Sequence, residues 1–258
     1  MNRIRTEPEQ ASSARIPQVN VRHAQLETSS QGTPHTLFAP MHYERGYAYP
    51  LIVWMHGPGD DENQLKRIMP IVSMRNYVAV APRGTGVVSG SRGGGGYTWC
   101  EDEEAVMLAE QRAEYCIRKA TKRYHVHPHR VFIAGYDSGG TAALRVGLNR
   151  PDLFAGILSI GGMFPQGNRP LLRFKQCRDL PLFVAHGRDS HEYSADRLCD
   201  DLRLFHTAGL SVTLRQYPCG HDITTQMLAD MNSWLMEQVT GVESFARELS
   251  QQPPADAN

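Results

Sequence analysis

Short runs of apolar residues alternate along this chain with longer segments whose apolar positions recur every three or four residues. The runs are LIVWM (51–55), YVAVA (77–81), RVFIA (130–134), FAGILSI (154–160), LPLFVA (180–185) and SVTLRQY (211–217). Helix-period stretches fall at Asn63–Arg75, Glu101–Tyr124, Gly139–Leu148, Ser194–Ala208 and Ile223–Val239. The interior runs are continuously apolar instead of alternating, which is what a strand covered on both faces requires. Strand and helix patterns in alternation predict an α/β fold, a mostly parallel central sheet with helices on both faces.

One domain accommodates the whole pattern, over residues 23–245. Residues 1–22 and 246–258 are polar and carry no apolar periodicity, so they read as extensions at the two ends. Ser89–Gly96 (SGSRGGGG) lacks both the G-K-[ST] ending of a phosphate loop and the G-x-G-x-x-G helix entry, and reads as a surface loop between a strand and a helix.

Composition narrows the function classes. The 258 residues hold 27 Lys+Arg against 27 Asp+Glu, and this balance argues against a nucleic-acid or polybasic membrane-surface binder, whose affinity comes from excess positive charge. No run reaches the length of a membrane span, and the polar N-terminus lacks the apolar stretch of a secretory signal. The five cysteines are odd in number and form no C-x-x-C pair, which fits a reduced, cytoplasmic chain.

In open parallel sheets ligands bind beyond the carboxyl ends of the strands, so chemistry is sought just after each apolar run. Four segments qualify: His56-Gly57-Pro58-Gly59-Asp60-Asp61, Gly135-Tyr136-Asp137-Ser138-Gly139-Gly140, His186-Gly187-Arg188-Asp189-Ser190 and Pro218-Cys219-Gly220-His221-Asp222. The second has the frame of a nucleophile elbow, a strained strand-to-helix turn with small residues two before and two after its apex. Its glycines centre the frame on Asp137; centring it on Ser138 would put the Tyr136 ring at a position that needs a small residue.

The segments HGPGDDENQL, RVFIAGYDSGGTAAL, FVAHGRDS and VTLRQYPCGHDI, in this order and spacing, resemble the phospholipase/carboxylesterase family of α/β-hydrolases, which includes acyl-protein thioesterases. The resemblance spans roughly Tyr49 to Val239. It implies the α/β-hydrolase fold and a Ser-His-Asp hydrolase acting on a small-molecule substrate, with no metal or organic cofactor. Carried over by position, His221 falls on the catalytic base. Asp137 stands where the family has its serine nucleophile. Ser190 occupies the acid position, with Asp189 one residue earlier and Glu192 two later. Pro58, after His56 and Gly57, stands where the family uses a backbone N–H in its oxyanion hole.

Each departure has a physical meaning. Proline has no N–H, and losing one oxyanion donor elsewhere costs about 10²–10³ in rate. The N–H of Ser138 is the donor that remains. An aspartate at the apex can open an epoxide or displace halide through an alkyl-enzyme ester, but attack on a carboxylic ester would give a mixed anhydride. Three readings follow: a serine esterase with Ser138 shifted to the apex; an Asp137-nucleophile hydrolase; or a binding protein in which Asp137 and His221 form an unreactive pair. For an enzyme, the expected set is Asp137 as nucleophile or charge stabiliser, His221 as base and Asp189 as the acid that orients it.

Other clusters have simpler readings. His125, His127 and His129 precede a buried strand at the end opposite the cleft, which disfavours a metal site. Asp60, Asp61 and Glu62 are expected to cap the helix near Asn63. His56 is expected to order its loop, Tyr97 and Trp99 to line the cleft mouth, and Cys219 to point away from His221.

Overall fold

The computed structural model describes residues 21–23, 32–88, 95–167 and 169–241. In chain order the elements are β1 (Val21–His23), β2 (His35–Phe38), β3 (Tyr49–Met55), α1 (Leu65–Val72), β4 (Val78–Pro82), β5 (Gly86–Val88), β6 (Gly96–Thr98), α2 (Glu103–Arg123), β7 (Val126–Tyr136), α3 (Ser138–Asn149), β8 (Gly156–Ile160), α4 (Phe174–Cys177), β9 (Leu182–Gly187), α5 (Ala195–Ala208), β10 (Val212–Tyr217) and α6 (Thr225–Thr240).

Seven strands form the main sheet in the order β10-β9-β8-β7-β3-β4-β2. All neighbours are parallel except β2, which runs antiparallel to β4 at the edge. Every residue of β3, β4, β8 and β9 is buried, which accounts for their continuously apolar sequences. Successive side chains point to opposite faces and so feed two separate cores. Leu51, Val53, Met55, Ile133, Ile157 and Val184 pack under α2, α3 and α5. Ile52, Trp54, Phe132, Ala134, Leu158 and Phe183 pack under α1 and α6.

The helix termini follow their local sequence. Asp102 caps α2 by accepting the Ala105 N–H at 3.0 Å. Acidic Glu103 and Glu104 open that helix and basic Lys122 and Arg123 close it, matching the helix dipole. Gly209 and Gly241, both left-handed, end α5 and α6.

Chain order reverses between β3 and β7: the strand after β3 lies on one side of it and β7 on the other. Loops leaving β3 and β7 therefore diverge and open a crevice at their carboxyl ends. The segments holding Pro58 and Asp137 flank that crevice.

A second, three-stranded sheet, β1-β5-β6, is antiparallel throughout. Val21 and Arg22, expected in the N-terminal extension, belong to β1; the other extension residues, 1–20 and 246–258, lie outside the described residues. So do residues 89–94 of the glycine-rich segment, but its last residue, Gly96, begins a strand, β6. The segment thus joins two paired strands, not a strand and a helix. The carboxylates before α1 also divide their work. Asp61 alone caps, accepting the Asn63 N–H at 2.8 Å, while Glu62 pairs with Arg83 at 2.6 Å and Asp60 pairs with Arg67 and Gln64.

Candidate active site

Asp137 stands alone between the end of β7 and the start of α3, with φ 52° and ψ −120°. A non-glycine residue there stores strain of about 1–3 kcal/mol. Two glycines make the turn fit: a Cβ on Gly135 would overlap the Gly139 carbonyl, and one on Gly139 would overlap the carbonyls of Met55 and His56. The Asp137 N–H donates to Ile160 O at 2.8 Å and fixes the turn against β8. Asp137 is therefore the apex residue. Ser138 begins α3, and its hydroxyl lies 3.2 Å from that of Thr98, so the shifted arrangement with Ser138 facing the histidine is not adopted.

The imidazole of His221 reaches the apex from the loop after β10. Its Nε2 lies 3.1 Å from Asp137 Oδ2. No well-aligned hydrogen bond joins the two atoms, and at this distance their contact is that of an ion pair when the ring is charged. The nearby Asp137 carboxylate raises the His221 pKa above its ordinary value, with smaller contributions from Glu192 and Asp222, against burial, which lowers it. The Tyr136 hydroxyl donates to the His221 carbonyl at 2.6 Å and holds the loop down.

Nδ1 of His221 faces Ser190 Oγ at 2.9 Å. The expectation that Asp189 orients this ring is corrected by the geometry: the Asp189 side chain is 58% exposed and turned to Arg188, with Nε and Oδ1 3.0 Å apart. That guanidinium holds the Asp189 carboxyl below its usual pKa. The cause is the backbone. Arg188 N–H donates to Tyr217 O, Asp189 N–H to Cys219 O and Ser190 N–H to Gly187 O. These bonds fix the register of the loop and present residue 190, not 189, to the histidine.

On the opposite wall, the loop after β3 has little to offer a developing oxyanion. The Gly57 N–H donates to Gln64 Oε1 at 3.2 Å, Pro58 has none, and the Gly59 N–H donates to Tyr97 O at 2.9 Å. Gln64 Oε1 also accepts the Trp54 indole N–H at 2.8 Å, which anchors it. His56 orders the loop as expected: the Gly84 N–H donates to Nε2, so the ring proton sits on Nδ1 and is donated to Gly57 O, both at 2.8 Å. Burial lowers its pKa and keeps it neutral.

Trp99 is buried, donates its indole N–H to the His56 carbonyl at 2.9 Å, and lines a narrow pocket with Val106, Ser138, Thr141 and Arg145. Tyr97 instead stacks under Arg83 and joins its backbone to Asp60. The Cys219 thiol is pushed up in pKa by burial and then by Asp222 and Asp189. Ser190, Gln64 and Thr98 are the site residues that sequence reasoning left without a role. Ser190 was legible as the occupant of the acid position; the other two carried no motif.

Among the described residues no group of three or more His, Cys, Asp or Glu could hold a metal ion, and no helix is long and apolar enough to cross a membrane. The sheet order, the elbow and the histidine loop together define an α/β-hydrolase fold. The profile of the phospholipase/carboxylesterase family matches residues 42–238, and the chain belongs to that family. Solved structures agree on the fold. A carboxylesterase from Mesorhizobium loti is 18% identical, with a TM-score of 0.64 over 84% of this chain and 99% of its own. The Bacillus cereus carboxylesterase is 19% identical, with a TM-score of 0.61 over 80% and 94%. Arabidopsis thaliana SOBER1 is 20% identical, with a TM-score of 0.59 over 74% and 100%.

Proposed function

We propose that this member of the carboxylesterase family binds a small molecule in its cleft and does not hydrolyse carboxylic esters or thioesters. The observation that carries this reading is the 3.1 Å contact between His221 Nε2 and Asp137 Oδ2. The imidazole nitrogen that would deprotonate a serine is occupied by a carboxylate in the serine's place. The engaged N–H groups of Gly57 and Gly59, with Pro58 between them, support it, since transition-state stabilisation in acyl transfer depends on preorganised donors. The five unpaired thiols fit a cytoplasmic setting.

The test is turnover of short p-nitrophenyl esters and acyl thioesters by the purified chain. Rates equal to the uncatalysed background are expected. Turnover that vanishes in His221→Ala would count decisively against the proposal.

One observation favours a second reading, an Asp137-nucleophile hydrolase. The carboxylate is retained at a strained apex and is 32% exposed. Appearance of ¹⁸O in the Asp137 carboxylate after single turnover of an epoxide or haloalkane in labelled water is its signature.

A further inference from the structure

We propose that the site is a Ser-His-Asp triad with its ends exchanged: Asp137 keeps the ring proton of neutral His221 on Nε2, and Ser190 donates its hydroxyl hydrogen to Nδ1. The inference deepens the reading above and rests on its Asp137–His221 pair.

The proton on Nε2 follows from distance. A carboxylate oxygen and an imidazole nitrogen 3.1 Å apart repel each other if both present lone pairs, so the proton is assigned to Nε2. Nε2 is buried and makes no aligned hydrogen bond among the described residues, which leaves Asp137 as the charge it faces. Neutral imidazole carries one N–H, so Nδ1 is then an acceptor and needs a donor.

Ser190 is built to be that donor. Its Oγ accepts the Tyr193 N–H at 3.0 Å and still has its hydroxyl hydrogen to give to Nδ1, 2.9 Å away. An aspartate at 190 is an acceptor only and would require the proton on Nδ1. Tyr193 is itself held at two further points: its carbonyl lies 2.7 Å from His186 Nε2, and its hydroxyl donates to the buried Asp201 at 2.9 Å. Ser190 is buried, so it is a positioning residue and not an attacking one.

Charge explains why the two replacements belong together. Carboxylates at both 137 and 190 would set two negative charges against one imidazole inside the fold, whereas a carboxylate at 137 with a hydroxyl at 190 leaves one. The ordinary triad shows a lone pair to its apex, and here the apex meets an N–H.

The experiment is ¹⁵N NMR of the His221 ring in the full chain, above its titration midpoint. A protonated Nε2 and bare Nδ1 are expected; the reverse overturns the proposal. Ser190→Ala is expected to leave the proton on Nε2, which Asp137 still holds, and to shift the Nδ1 resonance downfield, because the bare nitrogen loses its donor. An unmoved Nδ1 resonance means that Ser190 does not donate to it, and overturns the proposal. Should Ser190→Ala fail to fold, Ser190→Thr keeps the hydroxyl and must keep the wild-type tautomer. In Asp137→Ser/Ser190→Asp the proton is expected to move to Nδ1, and its staying on Nε2 contradicts the exchange. These readouts locate a proton and do not depend on turnover, so ester hydrolysis by the wild type would sink the proposed function separately.

Discussion

Asp137 and His221, 84 residues apart in the chain, meet through Oδ2 and Nε2 at 3.1 Å. The histidine titrates higher in the folded state because this carboxylate favours its charged form. A raised folded pKa stabilises the native state fully below the unfolded histidine value of about 6.5 and loses that contribution as pH rises through the folded value. Wild type is therefore expected to exceed Asp137→Asn in stability by up to about 1 kcal/mol near pH 5.5 and by less near pH 9. Urea denaturation at the two pH values checks this. A gap that widens with pH would contradict it.

The apex strain makes a separate prediction. Asp137→Ala and Asp137→Gly both remove the carboxylate, but only glycine adopts φ 52° at no steric cost. Asp137→Gly is expected to be the more stable of the two by about 1 kcal/mol, the strain outweighing the entropy glycine adds to the unfolded chain. Thermal melts of the two variants side by side decide it; an alanine variant equal to or above the glycine one shows a relaxed turn.

At Gly139, α3 lies against the end of β3. An added Cβ would meet the main-chain carbonyls of Met55 and His56, which cannot swing away as a side chain would. Gly139→Ala is expected to cost about 1–3 kcal/mol or more, despite alanine's better helix propensity. The denaturation midpoint should fall with unchanged slope, and a rise in stability would show that α3 shifts freely.

Asp201 is fully buried and accepts from both the Phe164 N–H at 2.8 Å and the Tyr193 hydroxyl at 2.9 Å, with Arg197 Nε 3.2 Å from its other oxygen. Asp201→Ala leaves those donors unpaired in the interior and is expected to cost about 3–5 kcal/mol. Hydrogen exchange at Tyr193 should accelerate more than at β9. Unchanged exchange there would mean that Asp201 does not hold the serine loop.

The fold was legible because its determinants are local. Continuous apolar runs mark strands buried on both faces, and helix-period stretches between them mark the crossovers. The boundaries moved where tertiary contacts intervened: the helix expected over Asn63–Arg75 is α1, Leu65–Val72, entered through a tight turn in which Asn63 and Gln64 are already engaged. Glycine spacing alone placed Asp137 at the apex, because the two close approaches that demand glycine lie within four residues of each other. The identity of the ring's second partner was not legible in the same way. One residue of register separates Asp189 from Ser190, and the choice is made by the Asp189 N–H on the Cys219 carbonyl, thirty residues away in the chain.

By itself, then, the sequence determined the architecture, the strained turn and the residues at its four loop ends, since each is written in short-range pattern and in the shape of glycine. Tertiary structure decided which of those residues meet. Hydrogen bonds from the loop after β9 to Tyr217 and Cys219 turned Ser190 inward and Asp189 outward, and β6 took up the Gly59 N–H. Backbone groups are the same in every residue, so long-range bonds of this kind leave no trace in side-chain pattern and become visible only when the segments are brought together.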